Sequence, residues 1–170
     1  MRFLWTIVLT LVAVTVLIVV VSQTGRIDFR ADQPPSGLER KFTMSAVDAS
    51  ADRHAPHKVN PLPPTDETIL AGARIYRDSC AGCHGDPAHH ETTFGSSFYP
   101  PVPQFMMDKP DMPDNQNFYV IQHGIRWTGM PAWNSLLNET QTWQVVTFLS
   151  HMDKLPPAIQ QEFTRPAPMP

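Results

Sequence analysis

Cys80-Ala81-Gly82-Cys83-His84 is the most informative stretch of this 170-residue chain. Two thiols three positions apart fall on one helical turn, and a histidine directly after them completes the covalent haem-attachment signature. Each thiol can add its S–H across one vinyl group of a single porphyrin, and His84 then presents its imidazole to the iron. Ala81 and Gly82 are small enough for the backbone to lie against a ring edge. Three other readings compete. A thioredoxin-like pair calls for a preceding strand in a βαβ setting, whereas a helical pattern precedes this motif. A zinc site needs a fourth ligand from His89, His90 or elsewhere, at no recognisable zinc spacing. A Cys80–Cys83 disulfide leaves His84 without a role.

On the N-terminal side of the motif, Thr65 is a candidate N-cap with Asp66 and Glu67 in the first turn, where carboxylates suit the helix dipole. Ile69, Ala73, Tyr76 and Cys80 then recur at helical spacing. Between Gly85 and Asn115, proline, glycine and short polar residues read as loops. Asn115 is a candidate cap for a short helix through Phe118, Tyr119, Ile121 and Gln122, ending near Gly124. A last helix runs from Thr140 to Met152 with Trp143, Val146, Phe148 and Leu149 on its apolar face, and Pro156-Pro157 is expected to stop it. Three helices and long loops in about 90 residues make a thin core unless an apolar group fills it.

A haem iron takes a second axial ligand. Downstream methionines are Met106, Met107, Met112, Met130 and Met152, and the histidines are His89, His90, His123 and His151. Met130 stands in Gly124-Ile125-Arg126-Trp127-Thr128-Gly129-Met130-Pro131-Ala132-Trp133. There Gly129 permits close backbone approach and Pro131 stiffens the loop. His89 and His90 follow His84 too closely to reach the opposite ring face, and His123 is the strongest rival.

The region from Asp66 to about Leu155 resembles the class I c-type cytochromes, the mono-haem electron carriers. The matching elements are Gly72-Ala73-Arg74-Ile75-Tyr76 before Cys80-Ala81-Gly82-Cys83-His84, then Thr128-Gly129-Met130-Pro131, then the terminal helix with Trp143 and Phe148. The resemblance implies an all-α fold, the class I cytochrome c fold, with about three main helices around one covalently bound haem c. It implies Cys80 and Cys83 as attachment points, His84 and Met130 as the axial pair, and a contact of Gly72 and Tyr76 with Trp143 or Phe148. Attachment follows export in that family, which places the haem domain on the periplasmic or extracytoplasmic side of the inner (cytoplasmic) membrane. The loop from Asp86 to Asp114 is longer and richer in proline than in compact members, and Phe98-Tyr99-Pro100-Pro101 has no assigned role there.

Apolar residues concentrate at the N-terminus, which the modest mean hydropathy of −0.23 conceals. Phe3 to Val21 carries no charge and only Thr6, Thr10 and Thr15 as polar residues. At ~1.5 Å per residue these residues make about 28 Å of helix, close to the ~30 Å hydrocarbon core. A cleaved signal peptide has a shorter apolar run and an Ala-x-Ala-like site, and Ser22-Gln23-Thr24 does not supply one. The expectation is an uncleaved single-pass anchor over residues 1–22. Arg2, Arg26 and Arg30 taken alone lean slightly towards a cytoplasmic C-terminus; haem attachment after export outweighs them. Proline numbers 18, roughly twice the usual ~5% share. Residues 23–64, with Pro34-Pro35 and Pro61-Leu62-Pro63-Pro64 and no sustained periodicity, read as a linker with a reach on the order of 35–40 Å, or as a strap. The haem domain is expected over 65–155 and a Pro-rich tail over 156–170.

Between Asp66 and Leu155 ten acidic residues face five basic ones, in a chain of net charge −3. That field favours redox protein partners with a basic docking surface and disfavours nucleic acid. Histidine and methionine together favour Fe(II) and raise the potential. Two strong axial ligands leave no open position for substrate, so one-electron transfer is expected rather than catalysis. The expectation covers a shuttle and a fixed subunit of a respiratory or other membrane redox complex. The alternative is a haem-based gas sensor that releases Met130. Arg126, beside the axial loop, is a candidate partner for a haem propionate.

Overall fold

The structure, a computed structural model, describes residues 1–164, which are helical with no strand among them. It divides into one unit, Met1–Arg30, and a second from Ala31 onward. The first is a single helix, α1 (Arg2–Gln23), none of whose residues is buried. Thr6, Thr10 and Thr15 donate back to the carbonyls of Arg2, Thr6 and Leu11 at 3.1, 2.9 and 2.9 Å. The side chains that interrupt the apolar run are thereby satisfied within the helix. By length and composition α1 is a candidate membrane span.

The second unit holds α2 (Gly37–His54), α3 (Asp66–Ser79), α4 (Ala81–His84), α5 (Thr93–Ser96), α6 (Asp114–His123), α7 (Glu139–His151) and α8 (Pro157–Phe163). Its centre is the crossing of α3 and α7. Helix α3 starts where Thr65 accepts from the Thr68 N–H at 3.3 Å, and it buries Ile69, Gly72, Ala73 and Tyr76 along one face. Helix α7 is capped by Asn138, which exchanges two bonds with Gln141 in a capping box. A Cβ on Gly72 would lie 2.0 Å from the Gln144 carbonyl oxygen and 2.8 Å from the Phe148 Cβ. Hydrogen is the only side chain that lets these backbones touch. Phe148 therefore takes the contact opposite Gly72 and Tyr76, its ring 5.2 Å from that of Tyr76. Trp143 faces α6 instead, stacked on Phe118 at 4.2 Å.

Two segments differ from the sequence reading. Residues 37–54, expected to lack regular structure, form α2. Ser36 caps it by accepting from the Glu39 N–H at 3.2 Å, and Ala55 before Pro56 ends it. Its buried contacts come from small residues, Ala51 with Ala55 just beyond, so no amphipathic stripe marks it. It packs on α6: His54 stacks on Tyr119, Gln116 donates to Asp52, and Asn115 donates to the Pro56 carbonyl rather than capping its own helix. Asn60 continues the strap onto α7 through Thr147 at 2.9 Å. The second difference is α8. Pro157 occupies its first turn, where a missing N–H costs nothing. Ile159 and Phe163 are buried, Phe163 lying 5.7 Å from Tyr76 and 4.9 Å from Phe148. Arg77 and Arg74 pair with Glu162 at 3.2 and 3.8 Å. The remainder of the expected tail, 165–170, lies outside the described residues.

The Gly72 contact yields a direct check. Gly72→Ala should lower stability by at least about 2 kcal/mol, because a methyl must displace backbone rather than a flexible side chain. A denaturation midpoint close to wild type, within about 0.5 kcal/mol, would show that the two helices can part without cost.

Candidate haem site

Helix α3 delivers the motif. Cys80 leaves helical geometry at φ −120°, and its carbonyl accepts from the Cys83 and His84 amides at 3.0 and 2.9 Å, closing the single turn of α4. Gly85 ends that turn at φ +86°. A Cβ there would also press within 2.9 Å of the His90 carbonyl oxygen. The buried Tyr76 hydroxyl donates to the Gly85 carbonyl at 2.8 Å, tying the end of the motif to the α3–α7 crossing. Burial beside Cys80 and Asp86 pushes the Tyr76 hydroxyl far above its ordinary titration range, so it stays a donor.

Both cysteines are free thiols. Burial, with Cys83 alongside, pushes the Cys80 thiol up to about 12, and burial raises Cys83 too. His84 is lowered by burial, opposed by its bond to the Pro103 carbonyl. That bond, Nδ1 to oxygen at 2.9 Å, sets the tautomer: with Nδ1 carrying the proton, Nε2 keeps its lone pair. The ring also stacks on Phe105 at 4.2 Å, only 13° from parallel.

The Pro-rich loop after the motif serves as its brace. The Cys83 carbonyl accepts from Thr92 Oγ1 and Gln104 Nε2, both at 3.0 Å, and the His84 carbonyl from the Phe105 amide at 2.9 Å. A Cβ on Gly95 would stand 2.2 Å from the Cys83 oxygen, so α5 touches the motif backbone directly. Thr92, Pro103, Gln104 and Phe105 escape a sequence reading because neither helical nor strand periodicity selects them. The Pro-rich stretch Pro100-Pro101-Val102-Pro103, beginning sixteen residues beyond the histidine, is the one signal present.

Met130 sits half-buried against the core at the close of a bonded loop. The Met130 carbonyl accepts from the Ile125 amide at 3.1 Å, and its own amide donates to Thr128 Oγ1 at 3.1 Å. Gly124, at φ +67°, starts the loop, where a Cβ would lie 2.6 Å from the Met130 oxygen. A Cβ on Gly129 would enter the Phe98 ring at 2.4 Å, so Phe98 packs on the loop backbone next to Met130. Trp127 is held at φ +62°, which costs a bulky residue on the order of 1 kcal/mol or more.

The other candidates are placed differently. His123 is exposed at the end of α6, 4.8 Å from Tyr119. His89 pairs with Asp86, and His151 bonds to the Thr147 carbonyl. Met106 and Met152 line a cavity of about 200 Å³ beside α8. The Arg126 guanidinium lies 6.0 Å over the Trp127 ring. Among the described residues no group of three or more His, Cys, Asp and Glu is placed to hold a metal ion.

The donor set fits a haem of the c type. Two free thiols and an oriented imidazole share one turn, with Phe105 stacked on the imidazole and half-buried Met130 and Trp133 packed on the same core cluster.

Residues 67–149 match the protein-family model described as cytochrome c oxidase, cbb3-type, subunit III. No curated protein matches the chain. A solved structure of the reducing HAO-like protein complex of Kuenenia stuttgartiensis is 20% identical, over 68% of this chain and 60% of that one, at a TM-score of 0.46. A helix bundle crossed at glycine, a Cys-x-x-Cys-His turn braced on both sides and the family match converge: residues 67–149 are a class I c-type cytochrome domain, a haem-based electron-transfer unit.

Proposed function

We propose that this chain is a membrane-anchored one-electron carrier in which Cys80 and Cys83 would hold a single haem c covalently, and His84 and Met130 would be the donors to its iron. The observation that carries the proposal is the His84 hydrogen bond to Pro103, which commits Nδ1 and leaves Nε2 as a metal donor beside two free thiols. Bound there, the haem supplies an Fe(III)/Fe(II) couple. The chain's residues do the positioning. Pro103 fixes the imidazole tautomer, Phe105 fixes its plane, and Thr128 with Ile125 closes the loop that presents Met130. The Met130 thioether is a soft donor that favours Fe(II), and the half-buried apolar shell disfavours the more highly charged oxidised state.

The folded strap bears on the partner. With α2 docked on α6, only residues 24–36 remain without helix between α1 and α2. Thirteen residues reach on the order of 20 Å, about half the span expected of a fully flexible segment. A short tether suits a partner in the same membrane, and so an electron-transfer subunit of a redox complex better than a wide-ranging shuttle. The family description, which names an oxidase subunit, accords with that reading. Attachment outside the cytoplasm and a basic partner surface complete it.

Two variants test the site. Met130→Ala in the haem-loaded protein should abolish the weak far-red sulfur-to-iron absorption and lower the midpoint potential by more than about 60 mV, a tenfold change in relative affinity for the two oxidation states. An unchanged band and potential would assign the sixth ligand elsewhere. Cys80→Ser should leave at most one thioether bond, read by mass spectrometry of the proteolysed haem peptide. Two such bonds in that variant would overturn the attachment scheme.

A further inference from the structure

We propose that a redox partner docks on an apolar strip made by Phe94, Phe98 and Trp127, rimmed by the carboxylates of Glu39 and Glu91, and that this partner is a protein presenting Lys or Arg around an apolar centre. The inference rests on the electron-transfer reading above and adds the face through which the electron passes. Gly95, next to Phe94, abuts the Cys83 carbonyl, and Phe98 abuts Gly129, the neighbour of Met130. Phe94 and Phe98 meet edge to face at 5.0 Å. The strip therefore connects the attachment turn to the Met130 loop, the two places where the chain holds its redox centre.

Its exposure has no role in folding. Trp127 is 89% exposed and Phe94 53%, while the domain's other tryptophans are half-buried or buried in the core. Trp127 also sits at φ +62°, a conformation that glycine would take without strain. A chain that keeps a strained backbone to hold an indole in water is keeping it for contact, and tryptophan is the residue that most often anchors protein interfaces. The loop is stiff: the Thr128 amide and hydroxyl both donate to the Ile125 carbonyl, at 3.3 and 2.8 Å, so the ring is presented without further ordering.

The rim sets the charge of the partner. Ser96 donates to Glu91 at 3.1 Å, and Tyr99 donates to Glu39, so both exposed carboxylates are pinned to the loop that carries the two phenylalanines. Glu39 comes from α2, which gives the folded strap a part in the docking face. Arg126 is placed against the strip, its guanidinium 6.0 Å over the Trp127 ring. An apolar centre with a carboxylate rim matches a basic rim on the partner, and the acidic excess of the domain steers the same encounter from a distance.

The test uses the haem-loaded full chain in detergent, with a soluble lysine-rich mono-haem cytochrome c of higher potential as probe acceptor and a small cobalt(III) complex as the control oxidant. At low ionic strength Trp127→Ala should lower the second-order rate constant to the probe at least tenfold, and Phe94→Ala should lower it as well. A Glu39→Gln, Glu91→Gln double variant should flatten the salt dependence. Midpoint potential, spectrum and the cobalt rate should not move, and the Trp127 indole N–H resonance should shift as the probe is added. A Trp127→Ala rate within twofold of wild type, or an unmoved indole resonance while the reaction stays salt-dependent, would overturn the assigned face. A chain that holds no reducible haem would overturn the electron-transfer reading itself, before any variant is compared.

Discussion

The backbone contact between α3 and α7 at Gly72 is the constraint on which the rest of the domain depends. With no side chain between Gly72 and the Gln144 carbonyl, the helices approach closely enough for Tyr76 and Phe148 to meet, and α8 then adds Phe163 to the same aromatic group. Tyr76 is the link from packing to chemistry. Its ring belongs to the core, and its hydroxyl reaches the Gly85 carbonyl at the end of the Cys80–His84 turn. The position of the motif is therefore set from the interior of the protein.

The second requirement is that a short turn be held still. Four residues of helix have little stability of their own. The turn is held because its outward carbonyls, those of Cys83 and His84, are bonded to Thr92, Gln104 and Phe105, and because the His84 ring is fixed by Pro103 and Phe105. The long Pro-rich loop, to which the resemblance assigns no role, is the brace for the motif on one side and, through Phe98, packs against Gly129 beside Met130 on the other. Prolines suit that work: they limit the loop's alternatives without asking for the amides that a helix or strand would use.

Much of this was legible in the chain because it is written in strong local signals. The attachment motif, the Thr65 cap, the apolar face through Tyr76 and the uncharged run of α1 each follow from residue type and spacing alone. The contact of Gly72 and Tyr76 was open between Trp143 and Phe148, and tertiary packing resolves it: Phe148 lies over α3, whereas Trp143 is turned to Phe118. Helix α2 was not legible, since Ala51 and Ala55 give it a contact without an apolar stripe. Helix α8 was hidden by Pro156-Pro157, a pair that reads as a stop and serves here as a start. The braces at Thr92, Pro103 and Gln104 carry no pattern because they act through bonds set by the fold and not by any periodicity.

These features together describe a domain whose core, motif and Met130 loop form one bonded unit, joined to a candidate membrane helix by a strap that is itself partly folded onto the domain. The proposed attachment of a single haem to Cys80 and Cys83 by thioether bonds decides whether the site works as described. Intact-mass spectrometry of the full chain, purified from a host able to attach haem and extracted with acidified acetone, measures it directly. The expected result is the polypeptide plus one haem, surviving extraction, with both cysteines blocked to alkylation. A polypeptide at its unmodified mass, with two alkylatable thiols, would contradict it.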